Sequence, residues 1–311
     1  MKNDLTIIIP FLNEGEEVAR TVESIRKTAG NKVDILLIND ASQDGFDYRS
    51  VAKNYGTAYL QNETRKGVAA SRDLGVEAIN TEYFLLLDGH MRFFSDDWHI
   101  RIVEALKQDA RSLYCGNCIA LDKLGERIAN RTSYGAFLVF YDDSPQKLLT
   151  PQWKRNDPKP GSTQIEIPCV LGACYAAKKD YWIYLRGLQG LEMYGSDEAY
   201  ISLKVWLEGG RCILLKDVEI GHIFRKSFPY EVRSTEVLYN KILIMETLFP
   251  TDMKDKFYNL WRKRVPLLLR DAMTMYIDHR HEIEQLRIYY QQIQTRDWEY
   301  FMNLNTQFIE I

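Results

Sequence analysis

The stretch YFLLLDGHMRF, residues 83–93, places two side chains that can bind a metal ion directly after an apolar run. The run at residues 83–87 has no polar alternation, which is typical of a parallel strand covered on both faces. Asp88 and His90 are then expected just past the carboxyl end of this strand. Because ligands bind at that edge of open α/β sheets, the position predicts a functional site.

The elements that would position this site follow an α/β rhythm. Short apolar runs alternate with helical patterns in the first half of the chain, which predicts a parallel sheet with helices on both faces. The predicted strands are residues 5–10, 33–39, 58–61 and 83–87, and the predicted helices are residues 14–28 and 66–79. Residues 120–168 are charged and predict an excursion or flexible loop, interrupted by Pro145, Pro151, Pro158 and Pro160. Order is expected to resume at residues 167–177.

The last quarter of the sequence is helical in pattern, with predicted helices at residues 237–249, 257–277 and 282–294. We therefore expect an α/β domain over residues 1–235 and a C-terminal helical extension over residues 236–311. The segment FYNLWRKRVPLLLRDAMTMY is compatible with peripheral binding to an anionic membrane, although packing against the α/β domain is favoured. Residues 289–294 are compatible with homodimer formation.

Composition and charge exclude several classes of protein. The net charge of −3 over 311 residues gives no electrostatic reason to expect a nucleic-acid partner. The apolar stretch before Pro10 is too short for a signal peptide or a membrane span, so a cytoplasmic location is expected. Cys115-Gly116-Asn117-Cys118 has the spacing of a zinc knuckle, but no second pair completes four ligands. Buried free thiols are therefore predicted.

Three further stretches carry polar residues next to predicted strands and helices. Asn13 and Glu14 follow the first strand and precede a helix, as in many α/β proteins. Asp40 follows the second strand, where it can bind a base or ribose, or simply cap a turn. Arg72 projects from a helix that begins at a glycine, and such arginines are often only solvated.

In this order and spacing, the three stretches and Asp88-Gly89-His90 resemble the nucleotide-sugar half of a family 2 glycosyltransferase with the fold called GT-A. The resemblance extends over residues 3–235 and implies a UDP-sugar donor. It implies that Asp40 reads uracil and that Asp88 holds a divalent metal ion on the diphosphate. It also implies donor contacts at Pro10, Leu12, Glu14, Asp40, Arg72, Asp88, Gly172 and Arg225.

His90 stands where family 2 usually has a second aspartate, and this departure is similar to the polypeptide N-acetylgalactosaminyltransferases. The segment VEIGHIFRKSFPY, residues 218–230, is similar to that family's Gly-His-Val-Phe-Arg-Lys segment. This second resemblance implies that His222 is the third protein ligand of the metal, beside Asp88 and His90. Carboxylate and imidazole ligands suit Mn²⁺, and Mg²⁺ less well because it prefers oxygen. Residues 226–233 are predicted to form a lid over the donor.

Asp197 and Glu198 begin a predicted helix for which Ser196 is the expected N-cap. Many helices begin with acids only because these complement the helix dipole. By resemblance, Glu198 falls on the catalytic-base position of family 2 and Asp197 on the preceding acid, whereas the peptide-modifying enzymes carry asparagine at the former. Inversion at the anomeric carbon needs a carboxylate that takes the acceptor proton. We therefore predict inverting transfer of a hexosamine, with a retaining N-acetylgalactosaminyltransferase-like reaction as the alternative.

The predicted acceptor is a hydroxyl group of a glycan or of a lipid-linked molecule. Two other classes of function share the expected fold. A nucleotidyltransferase should carry a glycine-rich basic loop after the first strand, where this chain has the acidic stretch NEGEE at residues 13–17. A non-catalytic sugar-binding protein would keep the fold, and failure to bind any nucleotide-sugar would favour it.

Overall fold

The computed structural model describes residues 3–225 and 227–310. Its strands are β1 (Leu5–Phe11), β2 (Asp34–Asn39), β3 (Ala58–Gln61), β4 (Tyr83–Leu87), β5 (Met91–Phe93), β6 (Ser112–Leu121), β7 (Arg127–Ser133), β8 (Ala136–Leu138), β9 (Pro151–Trp153), β10 (Gln164–Glu166), β11 (Cys174–Lys178) and β12 (Arg211–Ile223). Its helices are α1 (Glu16–Ala29), α2 (Tyr48–Tyr55), α3 (Val68–Ala78), α4 (Trp98–Gln108), α5 (Lys179–Tyr184), α6 (Asp197–Glu208), α7 (Ser234–Leu248), α8 (Thr251–Arg264), α9 (Pro266–Asp278), α10 (Arg280–Ile293) and α11 (Trp298–Glu310).

A single mixed sheet forms the centre of the molecule, with the strand order β10-β12-β6-β11-β4-β1-β2-β3. The half made of β4, β1, β2 and β3 is parallel, as the sequence predicts. In the other half, β11 runs antiparallel to both β4 and β6, whereas β12 and β6 are parallel. The predicted α/β class with a mostly parallel centre is confirmed.

The central strands are apolar on both sides because each side faces a separate core. Along β1, Ile8 belongs to the core on the side of α3, and Ile7 and Ile9 belong to the core on the side of α1. A strand that alternates between two apolar layers needs no polar face. Polar residues that line a cleft then follow the carboxyl ends of these strands, as Asp88 does after β4.

The predicted excursion or flexible loop over residues 120–168 is an excursion that contains ordered strands. This region begins with the end of β6 and continues through β7 and the antiparallel pair β8 and β9. Strand β8 is held by a residue near the C-terminus. The side chain of Asn305 on α11 accepts a hydrogen bond from Leu138 N at 2.8 Å and donates one to Leu138 O at 2.9 Å. This distant partner supplies order that the prolines and charges of the segment do not reveal.

The five C-terminal helices pack together and onto the rest of the molecule, and Ile242 and Leu243 of α7 share a core with Tyr200 of α6. The helix predicted over residues 257–277 is split in two, because Pro266 begins α9 directly after α8. Within the described residues, none of the helices combines the length and apolar character that crossing a bilayer requires. The division of the chain after residue 235 stays a prediction.

Candidate active site

A cleft of about 450 Å³ opens where the carboxyl ends of β1, β2 and β4 meet, within the size range of small-molecule sites. Twelve residues predicted for the site all line this cleft, which brings together segments from across the chain. They are Pro10, Leu12, Glu14, Asp40, Arg72, Asp88, His90, Gly172, Asp197, Glu198, His222 and Arg225.

Asp88, His90 and His222 form a cluster that could hold a metal ion, with one ligand atom from each lying within 4.8 Å of the others. The two histidine Nε2 atoms are 3.1 Å apart, and His222 Nε2 lies 3.7 Å from Asp88 Oδ2. Two ligands at right angles on a metal with bonds of about 2.1 Å would be separated by about 3 Å. The spacing of the two imidazoles therefore fits coordination of one ion.

The proton states of this cluster also suit a metal. Burial lowers the pKa of His222 well below its usual 6.5, so this imidazole is neutral and can offer a lone pair. His222 Nδ1 is buried and has no hydrogen-bond partner in the described chain. Burial raises the pKa of Asp88, and Arg72 and His90 oppose this effect. A bound cation would offset the cost of partly burying the Asp88 carboxylate.

Glu14 orients the His90 imidazole of the cluster. Its Oε2 lies 3.2 Å from His90 Nδ1, an arrangement that places the proton on Nδ1 and leaves Nε2 free for a metal. The same carboxylate accepts hydrogen bonds from both terminal nitrogens of Arg225. Burial opposes ionisation of Glu14, but His90 and Arg225 outweigh it and lower the pKa. Glu14 thus joins an imidazole of the candidate metal cluster to a guanidinium at the cleft wall.

Arg72 is a buried connector, with 2% of the residue exposed. It donates to Asp88 Oδ1 at 3.1 Å, to Gly172 O at 2.9 Å and to Asp197 Oδ2. The position of Arg72 on a helix does not predict this burial and pairing, because buried and solvated arginines have the same sequence pattern. The guanidinium fixes Asp88 relative to the start of α6.

Asp197 and Glu198 occupy the first turn of α6 but face different partners. Asp197 is paired with Arg72, whereas Glu198 forms no side-chain hydrogen bond to another described residue and lines the cleft. A Cβ added at Gly172 would lie 2.9 Å from Glu198 Oε1, so the glycine makes room for this carboxylate. Burial raises the pKa of Glu198. Ser196 occupies the predicted N-cap position, with its backbone in the left-handed region at φ 71°. Its side chain forms no capping hydrogen bond, which differs from the prediction.

Asp40 is almost fully engaged by the chain itself. Its Oδ1 accepts from Asn62 Nδ2 at 2.7 Å and Lys66 N at 2.8 Å, and its Oδ2 accepts from Gly67 N at 2.9 Å. Oδ2 keeps a lone pair toward the cleft. The carboxylate therefore shapes the loop before α3 and can still accept one hydrogen bond from a ligand.

Aromatic residues that the sequence did not single out complete the wall. Trp153 of β9 lies with its ring centroid 5.4 Å from Phe224 and 6.2 Å from His222. On the opposite side Tyr194 contacts Phe228 at 4.8 Å between centroids. The predicted lid over residues 226–233 contributes Phe228, Pro229 and Tyr230 to the cleft, while Lys226 lies outside the described residues.

The five cysteines of the chain are free and buried in the described structure, as predicted. Cys115 and Cys118 lie within β6, where side-chain burial raises their pKa and removes them from metal chemistry. The zinc-knuckle spacing has no structural counterpart in the part of the chain that the structure describes.

A cleft at the carboxyl ends of parallel strands, with a candidate metal cluster beside it, is the arrangement expected from the resemblance to family 2. The chain belongs to glycosyl transferase family 2, whose family model matches residues 6–178. The resemblance described above is confirmed.

Several polypeptide N-acetylgalactosaminyltransferases are similar to this chain in sequence. The chain is 28% identical over 241 residues to "Polypeptide N-acetylgalactosaminyltransferase 10" of Rattus norvegicus, covering 73% of this chain and 39% of that protein. It is 28% identical over 236 residues to "Polypeptide N-acetylgalactosaminyltransferase 14" of Homo sapiens, covering 72% of this chain and 41% of that protein. The chain thus matches about two fifths of the length of these relatives.

A solved structure shows the same fold. The "Crystal structure of GalNAc-T7 with UDP, GalNAc and Mn2+" superposes with a TM-score of 0.78 at 20% identity, covering 98% of this chain and 57% of that one. The predicted GT-A fold with additional C-terminal helices is confirmed.

Proposed function

We propose that this glycosyltransferase moves a hexosamine from a UDP-sugar to an acceptor hydroxyl with inversion of the anomeric centre, using Glu198 as the general base. The observation that carries the proposal is the difference between the two acids of α6. Asp197 forms a salt bridge with Arg72. Glu198 lines the cleft, and its carboxylate forms no side-chain hydrogen bond with another described residue. A free carboxylate can accept the proton of an attacking hydroxyl.

The donor would bind along the edge formed by β1, β2 and β4. Asp40 would accept a hydrogen bond from the base, and Gly172 would allow the sugar to approach the backbone. Asp88, His90 and His222 would hold Mn²⁺, which supplies positive charge to the diphosphate when bound. The neutral His222 imidazole and the Asp88 carboxylate fit this ion, and the similar solved structure was determined with UDP, GalNAc and Mn²⁺.

The reaction then follows from where each side chain lies. The acceptor oxygen attacks the anomeric carbon while the bond from that carbon to the diphosphate oxygen breaks, and the electron pair leaves with UDP. The acceptor proton passes to Glu198. Arg225, fixed by Glu14, presents a permanent positive charge beside the cluster. Burial raises the pKa of Glu198 and makes it a stronger base than an exposed glutamate.

A second candidate is retaining transfer of N-acetylgalactosamine to a polypeptide. The names of the relatives and the histidine at position 90 favour it. Under this alternative, Glu198 would contact the acceptor rather than accept its proton. Glycan and lipid-linked acceptors, a homodimer through residues 289–294 and peripheral membrane binding stay predictions.

The deciding experiment reads the anomeric configuration of the product by proton NMR, starting from an α-linked UDP-hexosamine. A β-linked product supports inversion, and an α-linked product contradicts it. Glu198→Gln should lower turnover by about 10²–10⁴-fold while donor affinity is kept, because it removes only acid–base catalysis. Glu192→Gln is the matched control, since this acid precedes the same helix and does not line the cleft. Equal loss in both variants would refute the assignment of Glu198.

A further inference from the structure

Four basic side chains line the cleft, and they differ in how their charge is balanced. Arg72 is paired with two carboxylates, and Arg225 is paired with Glu14. Arg65 stacks on the ring of Tyr230 at 5.1 Å. Lys241 has none of these partners, and no described carboxylate forms an ion pair with it.

Lys241 is nevertheless deeply buried, with 3% of the residue exposed. Its ammonium group donates a hydrogen bond to Gln146 O at 2.6 Å, which uses one of its three N–H donors. Burial lowers its pKa to about 8, so the group stays mostly charged at neutral pH. A buried charge without a counter-charge is costly, and proteins generally pair such groups.

Lys241 lies on a helix that packs against the segment entering α6, where the neighbouring Asn240 donates a hydrogen bond to Gly195 O at 3.0 Å. Its helix, α7, also contributes Val237, whose Cγ2 would lie 3.9 Å from a Cβ added at Gly195. Gly195 immediately precedes the start of α6, where Glu198 lies. Thr150 lines the same cleft from the segment that carries the Gln146 carbonyl. Lys241 therefore lines the cleft from a helix that packs beside the segment leading to the proposed base.

We propose that Lys241 is a specificity-determining residue that binds an anionic group, a carboxylate or a phosphate, on the acceptor. This inference rests on the proposed function and names the acceptor class of the same site. The two remaining N–H donors would form charge-assisted hydrogen bonds to the anion. An acceptor without such a group would leave the buried ammonium without a counter-charge. The acceptor hydroxyl would then be presented to Glu198 by a group anchored on α7.

The test uses matched sugar pairs on the full chain loaded with UDP and Mn²⁺. Binding of methyl β-glucuronide and methyl β-glucoside is compared by calorimetry, and galactose 6-phosphate is compared with galactose. The native protein should bind the anionic member of at least one pair about 10-fold or more tightly, the usual range for a hydrogen bond to a charged group. Lys241→Gln, which keeps an N–H donor but loses the charge, should reduce that ratio to near one. Lys241→Arg should keep it.

Lys147→Gln is the charge-matched control, because this exposed lysine is the neighbour of Gln146 and pairs with Asp142 instead of lining the cleft. A ratio near one in the native protein, or a preference that survives Lys241→Gln, overturns the proposal. A preference for UDP-glucuronate over UDP-glucose that is lost in Lys241→Gln also overturns it, because the anion would then belong to the donor. Failure of UDP to bind with Mn²⁺ would instead contradict the proposed function.

Discussion

Replacing Arg72 with methionine should destabilise the protein far more than the loss of an ordinary surface arginine. Arg72 is buried and contacts both Asp88 and Asp197, so the substitution leaves the buried Asp197 and the partly buried Asp88 without their counter-charge. Breaking a buried ion pair by removing one partner typically costs about 3–5 kcal/mol. We expect a loss of free energy of unfolding in that range for Arg72→Met.

Urea unfolding followed by circular dichroism measures this loss, with a constant denaturant slope as the check on two-state behaviour. Arg101→Met is the control, because Arg101 pairs with Asp97 and Asp217 at the surface and its loss should cost about 1 kcal/mol or less. Adding Asp197→Asn to Arg72→Met should cost less than the sum of the single changes, since the second change removes an unpaired charge. Equal costs for Arg72→Met and Arg101→Met would refute the reasoning.

Three other changes test separate parts of the site. Gly67→Ala should destabilise the fold more than Gly30→Ala in thermal unfolding, because a Cβ at Gly67 would lie 2.4 Å from Met193 Cα and one at Gly30 meets open space; similar losses would contradict this close crossing. Asp40→Asn should weaken UDP binding in calorimetry by about 1–3 kcal/mol, and unchanged affinity would exclude a contact with the base. Because burial depresses the pKa of His222, the stability contributed by its neutral form is present above its usual pKa of 6.5 and is lost as pH falls toward the depressed value. The urea midpoint of unfolding should therefore fall less steeply with decreasing pH in His222→Gln than in the native protein. An unchanged pH dependence would show that other groups cause the loss of stability in acid.

The sequence predicts the parallel half of the sheet well because burial on both faces leaves a direct pattern. Residues 83–87 are the clearest case: the apolar run coincides with β4, and Asp88 follows it at the cleft as expected. The antiparallel half is less predictable, since β11 inserts between β4 and β6 by pairing that no local pattern encodes.

The candidate site divides in the same way. Residues at strand ends and in motifs, such as Asp40 and His222, can be placed in the cleft from sequence. Trp153 and Lys241 cannot, because their positions depend on segments that meet only in the folded chain. The pairing of Arg72 with Asp197 is equally hidden, since two charges 125 residues apart carry no spacing signal.

Asn305 has a consequence for the order in which the molecule is completed during synthesis. It bonds the backbone of Leu138 from 167 residues downstream, and Lys154 likewise donates to Phe308 O at 2.7 Å. At translation rates of about 5–20 residues per second, the strands around Trp153 must wait about 8–33 seconds for these partners to be synthesised. The parallel edge made of β1, β2, β3 and β4 can form much earlier, because these strands are close together in sequence. The nascent chain is therefore expected to complete the edge of the cleft formed by β1, β2 and β4 first, and the wall that carries Trp153 last.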